Sequence, residues 1–541
     1  MKMKKIVYLM GIAVLVLLTA CSGGGGNAES SVSEEEALEN LNESDMPIVK
    51  EKIELDIFAG KTPATADDWN DIMIFNEYED MTNIDVNWEM VPYEGLEEKR
   101  NLALASGSLP DAFHSADIPI SDLLKYGEQG TFVALNDLID KHAPNLKKIF
   151  EEYPEIEKGI TFPDGNIYAL PTMNDPEFLA MRFGAAPWIR EDWLDALDME
   201  MPETTDEFYE YLKAVKEQDP NGNGEADEIP FGSSSMDVLF RWLKGSFGVS
   251  NRGLSAGYID MDPEENKVRF FPATENYKEM LQYTNKLYEE GLIEQNIFTL
   301  EHDQFFANAA EDLYGSTVNH SPAELFSGEK SKSFAPAPAL EGPNGDKLFA
   351  GLSSSIGIPG SFVITSANEN PAATIRWIDY FYSDAGAELF FMGKEGETFE
   401  KTEDGEYKYV DEITTDEDDL NLDQAVSQYL TWPGGMYPAI NKEEFFKGAE
   451  GAPSSKKAAE TLEPDFVEEV WPAFTYTKEE NQKLSSFGAD IEKYVAEMRD
   501  KFIVGDVSFE EWDTYIETLK NMNLEEYVEI KQTAYERYQG N

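Results

Sequence analysis

Ile53-Glu54-Leu55-Asp56-Ile57-Phe58, then Met73-Ile74-Phe75-Asn76-Glu77-Tyr78-Glu79, then Ile84-Asp85-Val86-Asn87-Trp88-Glu89 is the stretch whose reading decides the fold. The first and third segments alternate apolar and polar side chains, the period of a half-buried strand. The apolar residues of the second fall at helical spacing. The pattern continues outward. Leu96 to Leu104 reads as a helix, Asp111-Ala112-Phe113-His114 as a buried strand end, Leu135 to Ile139 as helical, and Ile167 to Pro171 as extended. Strand–helix–strand alternation predicts an α/β fold with parallel sheets covered by helices. No internal repeat is apparent, which disfavours solenoids and propellers.

Open α/β sheets bind ligands beyond the carboxyl ends of their strands. The loop after Phe58 (Ala59-Gly60-Lys61-Thr62-Pro63) and the loop after His114 (Ser115-Ala116-Asp117) are therefore candidate binding edges, though a plain turn fits either equally well. Further along, Thr204-Thr205-Asp206-Glu207 opens a capped helix that runs to Glu217. Pro371 to Lys394 reads as one long amphipathic stretch. Glu479 to Met498 and Ser508 to Tyr538 read as helices near the end of the chain.

The two ends of the composition fix the compartment. Lys2, Lys4 and Lys5 precede the apolar run Ile6 to Leu18, which suits a signal peptide but is short of the ~20 residues of a spanning helix. Leu18-Thr19-Ala20-Cys21 resembles the lipobox of bacterial lipoproteins, which implies cleavage before Cys21 and lipid attachment to it. A plain signal peptide with an incidental cysteine is the alternative. Cys21 is the chain's 1 cysteine, so no internal disulfide can form. Residues 21–50, rich in Gly, Ser, Glu and Asn, read as a flexible tether. The chain has 43 basic against 106 acidic residues, a formal charge of −63. Such a body repels phosphate backbones and anionic headgroups, so nucleic acid is excluded as a partner.

The stretch with the most chemistry is Asp219-Pro220-Asn221-Gly222-Asn223-Gly224-Glu225-Ala226-Asp227-Glu228-Ile229-Pro230. Calcium takes ~6–8 oxygens at about 2.3–2.6 Å. Side chains of Asp219, Asn221, Asn223, Asp227 and Glu228, with the main-chain oxygen of Glu225, can supply them. The first positions copy an EF-hand loop, but Pro230 stands where a bidentate Glu would be needed. A structural calcium site and a metal-free run of Asx turns both satisfy this pattern.

The sequence resembles the bacterial extracellular solute-binding proteins of the type-1 superfamily, in the large lipoprotein branch that includes the alginate-oligosaccharide-binding proteins. The resemblance rests on Lys125 to Gly130 (KYGEQG), Leu135 to Ile139 (LNDLI), Ala143 to Leu146 (APNL), Pro163 to Pro171 (PDGNIYALP) and Ile189 to Asp195 (IREDWLD). The calcium loop, Phe362 to Thr365 (FVIT) and Ile375 to Trp377 (IRW) complete it. It covers essentially the whole body. It implies a two-lobed, type II-like clamshell with hinge crossovers and a ligand cleft: lobe one from 51–172 plus 340–400, lobe two from 173–339 plus 401–541. It also implies a monomer that hands an oligosaccharide to the permease of an ABC importer. The place of action would be the extracellular face of the cytoplasmic membrane of a Gram-positive bacterium.

Sugar rings stack on aromatic faces while polar groups read their hydroxyls. Trp432, in the Gly-rich loop Thr431 to Tyr437, Trp188, Trp242, Tyr168, Tyr314 and Trp69 are the candidate stacking residues, each with a core position as its alternative. Lys61, Asp117, Arg182 and Arg241 are the candidate polar contacts, and a surface ion pair is the alternative for the cations. A polysaccharide-degrading enzyme and a carbohydrate adhesin are the rival classes. With 106 acids, carboxylate pairs carry no weight, and His114, His142, His302 and His320 show no metal-ligand spacing.

Overall fold

The computed structural model describes residues 33–63, 65–326, 328–415, 422–431 and 437–540. Its first sheet is built on the stretch quoted above. Ile53–Lys61 pairs in parallel with Ile84–Pro92, from Ile53 opposite Ile84 to Lys61 opposite Pro92. On its other side it pairs in parallel with Ala112–His114, which pairs antiparallel with Phe362–Ile364. Alternation places Leu55, Ile57 and Ala59 in one apolar cluster and Phe58, with Val91, Phe113 and Val363, in another, so both faces are covered.

The second sheet runs Phe334–Pro336, Ala186–Arg190, Tyr314–Asn319, Ile229–Gly232, with only the last pair parallel. The helix Thr205–Gln218 covers it, burying Phe208, Tyr211, Leu212 and Val215. Its start is the expected capping box: Glu207 N–H donates to Thr204 Oγ1, and the Glu207 carboxylate accepts from Thr204 N–H.

Between the two sheets lie the crossovers. Met173–Asn174 pairs in parallel with Ile440–Asn441, while Leu170 bridges Phe362 and Met173 bridges Ile356. Thr172 Oγ1 lies 2.8 Å from Ser361 Oγ and donates to Tyr437 O at 3.0 Å, tying three separate passages of chain together. The third passage leads into Pro453–Leu462, which packs on Leu179–Phe183 and on the strand Ala186–Arg190. The result is the two-lobed α/β body expected from the sequence.

Several local readings differ from the structure. The segment read as a tether is folded from Ser33 onward. Glu34–Asn40 is a helix with a capping box, and Ile48 and Val49 are buried with their N–H groups donating to Thr82 O. Two buried aliphatic residues and two main-chain hydrogen bonds hold what composition alone assigns to solvent. Pro371–Asp379 and Asp384–Phe391 are separate helices, because Ser383 turns extended and caps the second through Gly386 N–H. The expected helix from 479 is interrupted by a π-helical turn at Leu484–Gly488. Asn523, with φ 70°, separates Trp512–Asn521 from Leu524–Gln539. Of residues 401–446, expected with the second lobe, described ones touch elements of the chain that follow the first sheet. Tyr409 donates to Phe391 O, and Lys442 pairs with Asp384.

One buried carboxylate links the fold to pH. Asp379 accepts from Asn145 N–H (3.1 Å), Leu146 N–H (2.8 Å) and Asn145 Nδ2 (2.9 Å), capping the helix Pro144–Glu152. Burial outweighs these bonds and pushes its pKa up to about 6. The folded state therefore holds this proton more tightly than the unfolded chain does. The resulting stability is full below the unfolded pKa and is lost as pH rises through about 6. Relative to Asp379→Asn, the wild type is expected to lose about 2.4 kcal/mol between pH 4 and pH 7.5. Urea unfolding of both proteins across that range checks it; parallel profiles would discard the assignment.

Candidate ligand cleft and metal loop

The carboxyl-terminal edges of both sheets meet at the crossovers. On the first sheet, Ser115 N–H donates to Ser361 O, and the His114 ring packs 5.7 Å from Tyr437. On the second, Ser353 N–H donates to Arg182 O and Ser455 Oγ donates to His320 O. The same crossover passages thus touch the strand ends of both sheets, which is where the strand-end rule puts a ligand.

The first-lobe edge carries the expected Lys61 and Asp117. Lys61, at the strand's last position, is ion-paired to the exposed Asp67. Asp117 is exposed at φ 50°, its main-chain oxygen held by Arg100, and it helps burial raise the Tyr93 hydroxyl. Thr62 Oγ1 and Tyr437 Oη are buried beside this edge without a hydrogen bond of normal geometry. His114 is fully enclosed, and burial drives its pKa down to about 3, so the imidazole is neutral.

The second-lobe edge is built from three passages. Gly184, at φ 67°, precedes the strand Ala186–Arg190. A Cβ at that position would lie 3.8 Å from Arg241 Nη1 and 3.9 Å from His320 Nε2, which brings both side chains to the same spot. His320 Nδ1 is 3.5 Å from Glu324 Oε2, and Nε2 is 4.0 Å from Glu450 Oε1. The Glu324 contact, with help from Glu450, raises the His320 pKa. Burial raises that of Glu450. Arg241 makes no hydrogen bond or ion pair among the described residues.

The loop after Thr205–Gln218 gathers the expected metal donors. Asp219 Oδ2 accepts from Gly224 N–H (2.9 Å), and Asn223 Nδ2 reaches both Asp227 oxygens (3.1 and 3.2 Å). Asn221 Oδ1 accepts from Asn223 N–H, and Asn223 Oδ1 from Glu225 N–H. Asp219 Oδ1 and Glu228 Oε1 are buried with no hydrogen-bond partner. Burial raises the Glu228 pKa, with Asp219 and Asp227 adding to it. Among the described residues no three His, Cys, Asp or Glu side chains converge tightly enough to hold a metal by themselves. The loop's other donors are amide and main-chain oxygens. An all-oxygen set with two orphaned carboxylate oxygens, and with no ion pair to Asp219, Asp227 or Glu228 among the described residues, fits a hard divalent ion.

Residues 70–388 match the family described as bacterial extracellular solute-binding protein. The chain belongs to that family. Over 544 aligned residues it is 30% identical to the fructooligosaccharide ABC transporter substrate-binding protein FusA of Streptococcus pneumoniae, covering 98% of this chain and 97% of FusA. The structure of FusA in complex with kestose superposes with a TM-score of 0.72 at 29% identity, over 90% of this chain and 100% of FusA. A second FusA structure, an EF-hand mutant in complex with fructo-nystose, matches equally. An HMO-binding, ABC-transporter-associated solute-binding protein from Bifidobacterium longum infantis matches with a TM-score of 0.75 at 25% identity, over 90% of this chain and 99% of the other.

In this solute-binding protein most of the expected stacking residues are core. Trp69 and Trp188 are 0% and 1% exposed, and the Trp188 indole donates to Asn319 O inside the sheet. Trp242 packs on Phe208 and donates to Pro338 O. Tyr314 donates to the buried Glu294 (2.8 Å), and Tyr168 to Asp164 against Phe162. None of these rings offers a face to a ligand: each polar atom has a local partner and each plane is covered. Arg182 is a staple, donating to Ser353 O (3.2 Å) and Pro176 O (3.3 Å). Trp432 and Cys21 lie outside the described residues. His320 was missed although the strand-end rule applies to Tyr314–Asn319 as it does to Ile53–Lys61. Glu450 sits on a 3₁₀ turn at Ala449–Gly451 brought in by the third crossover, and carries no such signal.

Proposed function

We propose that this protein captures an oligosaccharide in the interlobe cleft and delivers it to the permease of an ABC importer. The observation that carries this reading is the two-lobed body joined by three passages of chain, Thr172, Ser361 and Tyr437 lying together between the sheets, in a chain similar to FusA over nearly the whole of both lengths. A ligand spanning the interlobe cleft gains its full set of contacts only when the lobes are closed, so binding energy shifts the population toward closure. The closed surface is what a permease can distinguish from the empty protein. FusA and the Bifidobacterium protein, similar over nearly their whole lengths, are both associated by description with ABC transporters. The protein acts as a binder rather than an enzyme, as a monomer, at the extracellular face of a Gram-positive membrane through a lipid on Cys21.

The loop of Asp219, Asn221, Asn223, Glu225, Asp227 and Glu228 is proposed to hold a structural calcium ion. Its two orphaned carboxylate oxygens support this, and a FusA variant is described as an EF-hand mutant. Calcium supplies positive charge that offsets the mutual repulsion of Asp219, Asp227 and Glu228. The chain's own part is to fix the loop between the helix Thr205–Gln218 and the strand Ile229–Gly232, where Ile229 N–H donates to Leu313 O.

A thermal-shift screen of neutral and acidic oligosaccharides, with calcium and with EDTA, tests both statements. A binding sugar raises the melting temperature. At a ligand concentration ~100 times its Kd the stabilisation is about 2.7 kcal/mol. EDTA lowers the melting temperature without abolishing sugar binding. Release of reducing sugar from any oligosaccharide overturns the binder reading, and an EDTA-independent melting curve overturns the calcium site.

A further inference from the structure

The two parallel strands of the second sheet, Ile229–Gly232 and Tyr314–Asn319, end side by side, with Gly232 opposite Thr317. Each leads into a basic side chain beyond its carboxyl end. His320 is the residue after the second strand, and Arg241 lies on the helix Met236–Leu243 that follows the first. Gly184 joins them because Ala186, two residues on, pairs with Asn319. A Cβ on Gly184 would meet Arg241 Nη1 at 3.8 Å and His320 Nε2 at 3.9 Å. The two nitrogens therefore flank one spot against the Gly184 backbone. The His320 side chain is 45% exposed, so a ligand reaches that spot from solvent.

Arg241 is the unusual member. Acids outnumber bases 106 to 43, yet no carboxylate pairs with this guanidinium among the described residues, although burial disfavours its charge. Asp237, one helical turn earlier, is taken by Arg499. His320, by contrast, is held toward its charged form. Glu324 Oε2 lies 3.5 Å from Nδ1, the ring nitrogen that does not face Gly184, and this contact, with help from Glu450, raises the imidazole pKa. Glu450 Oε1 is 4.0 Å from Nε2, too far for a hydrogen bond, and burial raises its own pKa. Two cationic donors thus converge on one spot, and one of them has no anion. A carboxylate there accepts a charge-assisted N–H···O bond of about 2.7–2.9 Å from each. The formal charge of −63 opposes any anion at long range. Physiological salt screens that field beyond ~8 Å, so the two direct bonds decide.

We infer that Arg241 and His320 hold a carboxylate of the bound saccharide against Gly184, so that the oligosaccharide this protein carries bears a uronate. This rests on the cleft-binding reading above and names the ligand class it takes. Arg241 supplies the uncompensated charge and His320 the second donor. Glu324 keeps the imidazole protonated, and Glu450 is the nearby anion that competes for Nε2.

Isothermal titration of the full mature chain with trigalacturonate, trimannuronate, their methyl esters and kestose tests the assignment. At least one of the two acids is expected to bind. Its methyl ester, which keeps the sugar and loses the charge, is expected to bind about 10- to 100-fold more weakly, the range for one charge-assisted hydrogen bond. Arg241→Gln is expected to weaken binding of the acid by a similar factor, and Arg241→Lys by less. Glu450→Gln, which removes the competing anion, is expected to leave that binding unchanged or tighten it. Because the guanidinium has no partner, Arg241→Gln is also expected to leave the melting temperature of the ligand-free protein unchanged or raise it. A lower melting temperature would show that Arg241 holds the fold and would overturn the assignment. Wild-type affinity for the acid in Arg241→Gln, or weaker binding in Glu450→Gln, overturns it as well. Binding of kestose or of an ester with neither acid bound overturns the ligand class and leaves the cleft reading standing. Binding of no saccharide at all overturns the cleft reading and, with it, this one.

Discussion

Replacing Trp69 by alanine is expected to lower the unfolding free energy by about 3–5 kcal/mol, the range for deleting a buried aromatic. The indole is 0% exposed and packs edge-on to Trp88 (5.0 Å), Tyr437 (5.3 Å) and His114 (5.6 Å), with Phe75 at 5.5 Å. Trp88 and His114 sit on sheet strands, whose main chains are fixed by their ladders, so the walls cannot fall inward. The indole N–H donates to Thr65 Oγ1, which in turn donates to Thr431 O. Truncation removes one member of that chain as well. The loss therefore belongs in the upper half of the range, and Trp69→Phe should recover more than half of it. Urea unfolding followed by far-UV circular dichroism gives the number. A loss below about 1 kcal/mol would show that the ring is not core, and would reopen it as a sugar platform.

Arg269→Met is expected to cost a similar amount, about 3–5 kcal/mol at neutral pH, for a different reason. The Asp260 side chain is 0% exposed and meets Arg269 through two parallel bonds, Nε to Oδ1 at 2.8 Å and Nη2 to Oδ2 at 2.6 Å. Burial raises the Asp260 pKa even with the guanidinium in place. Without it the charged carboxylate is left alone in the interior and its pKa climbs further. The sign follows: the deficit of the variant is greatest where Asp260 must be ionised and shrinks on acidification as it takes up a proton. Adding Asp260→Asn to the same protein should restore much of the loss, since no charge is then buried. Stability of the single and double variants at pH 5 and pH 8 decides the matter. Equal deficits at both pH values would mean that Asp260 is not the group left unpaired.

Much of the fold could be read from periodicity alone. The alternation in Ile53 to Phe58 and Ile84 to Glu89 located two neighbouring strands of the first sheet, one central and one at its edge. Thr204 and Glu207 located a helix start to within a residue. These signals are local, and local rules recover them. The breaks at Ser383, Leu484–Gly488 and Asn523 were not legible because each keeps helical spacing of apolar residues on both sides of the interruption. The cleft was half legible. The strand-end rule and the scarcity of cations singled out Lys61, Asp117 and Arg241, and the structure places the first two at strand ends of the first sheet and the third beside Gly184 at the start of a second-sheet strand. The aromatic candidates failed for a common cause: Trp188, Trp242 and Tyr314 each have a hydrogen-bond acceptor inside the fold, and a single sequence does not reveal whether an indole or phenol has found one. Glu450 was invisible because its neighbours in space come from three distant passages.

The folded segment that begins at Ser33 shortens the leash. If the lipid sits on Cys21, about twelve residues separate it from the point where the chain is fastened to the first lobe, a contour of roughly 40 Å at full stretch. On that reading the tie runs to the first lobe, to which Ile48 and Val49 are fastened through Thr82 O, and the second lobe carries no tether of its own.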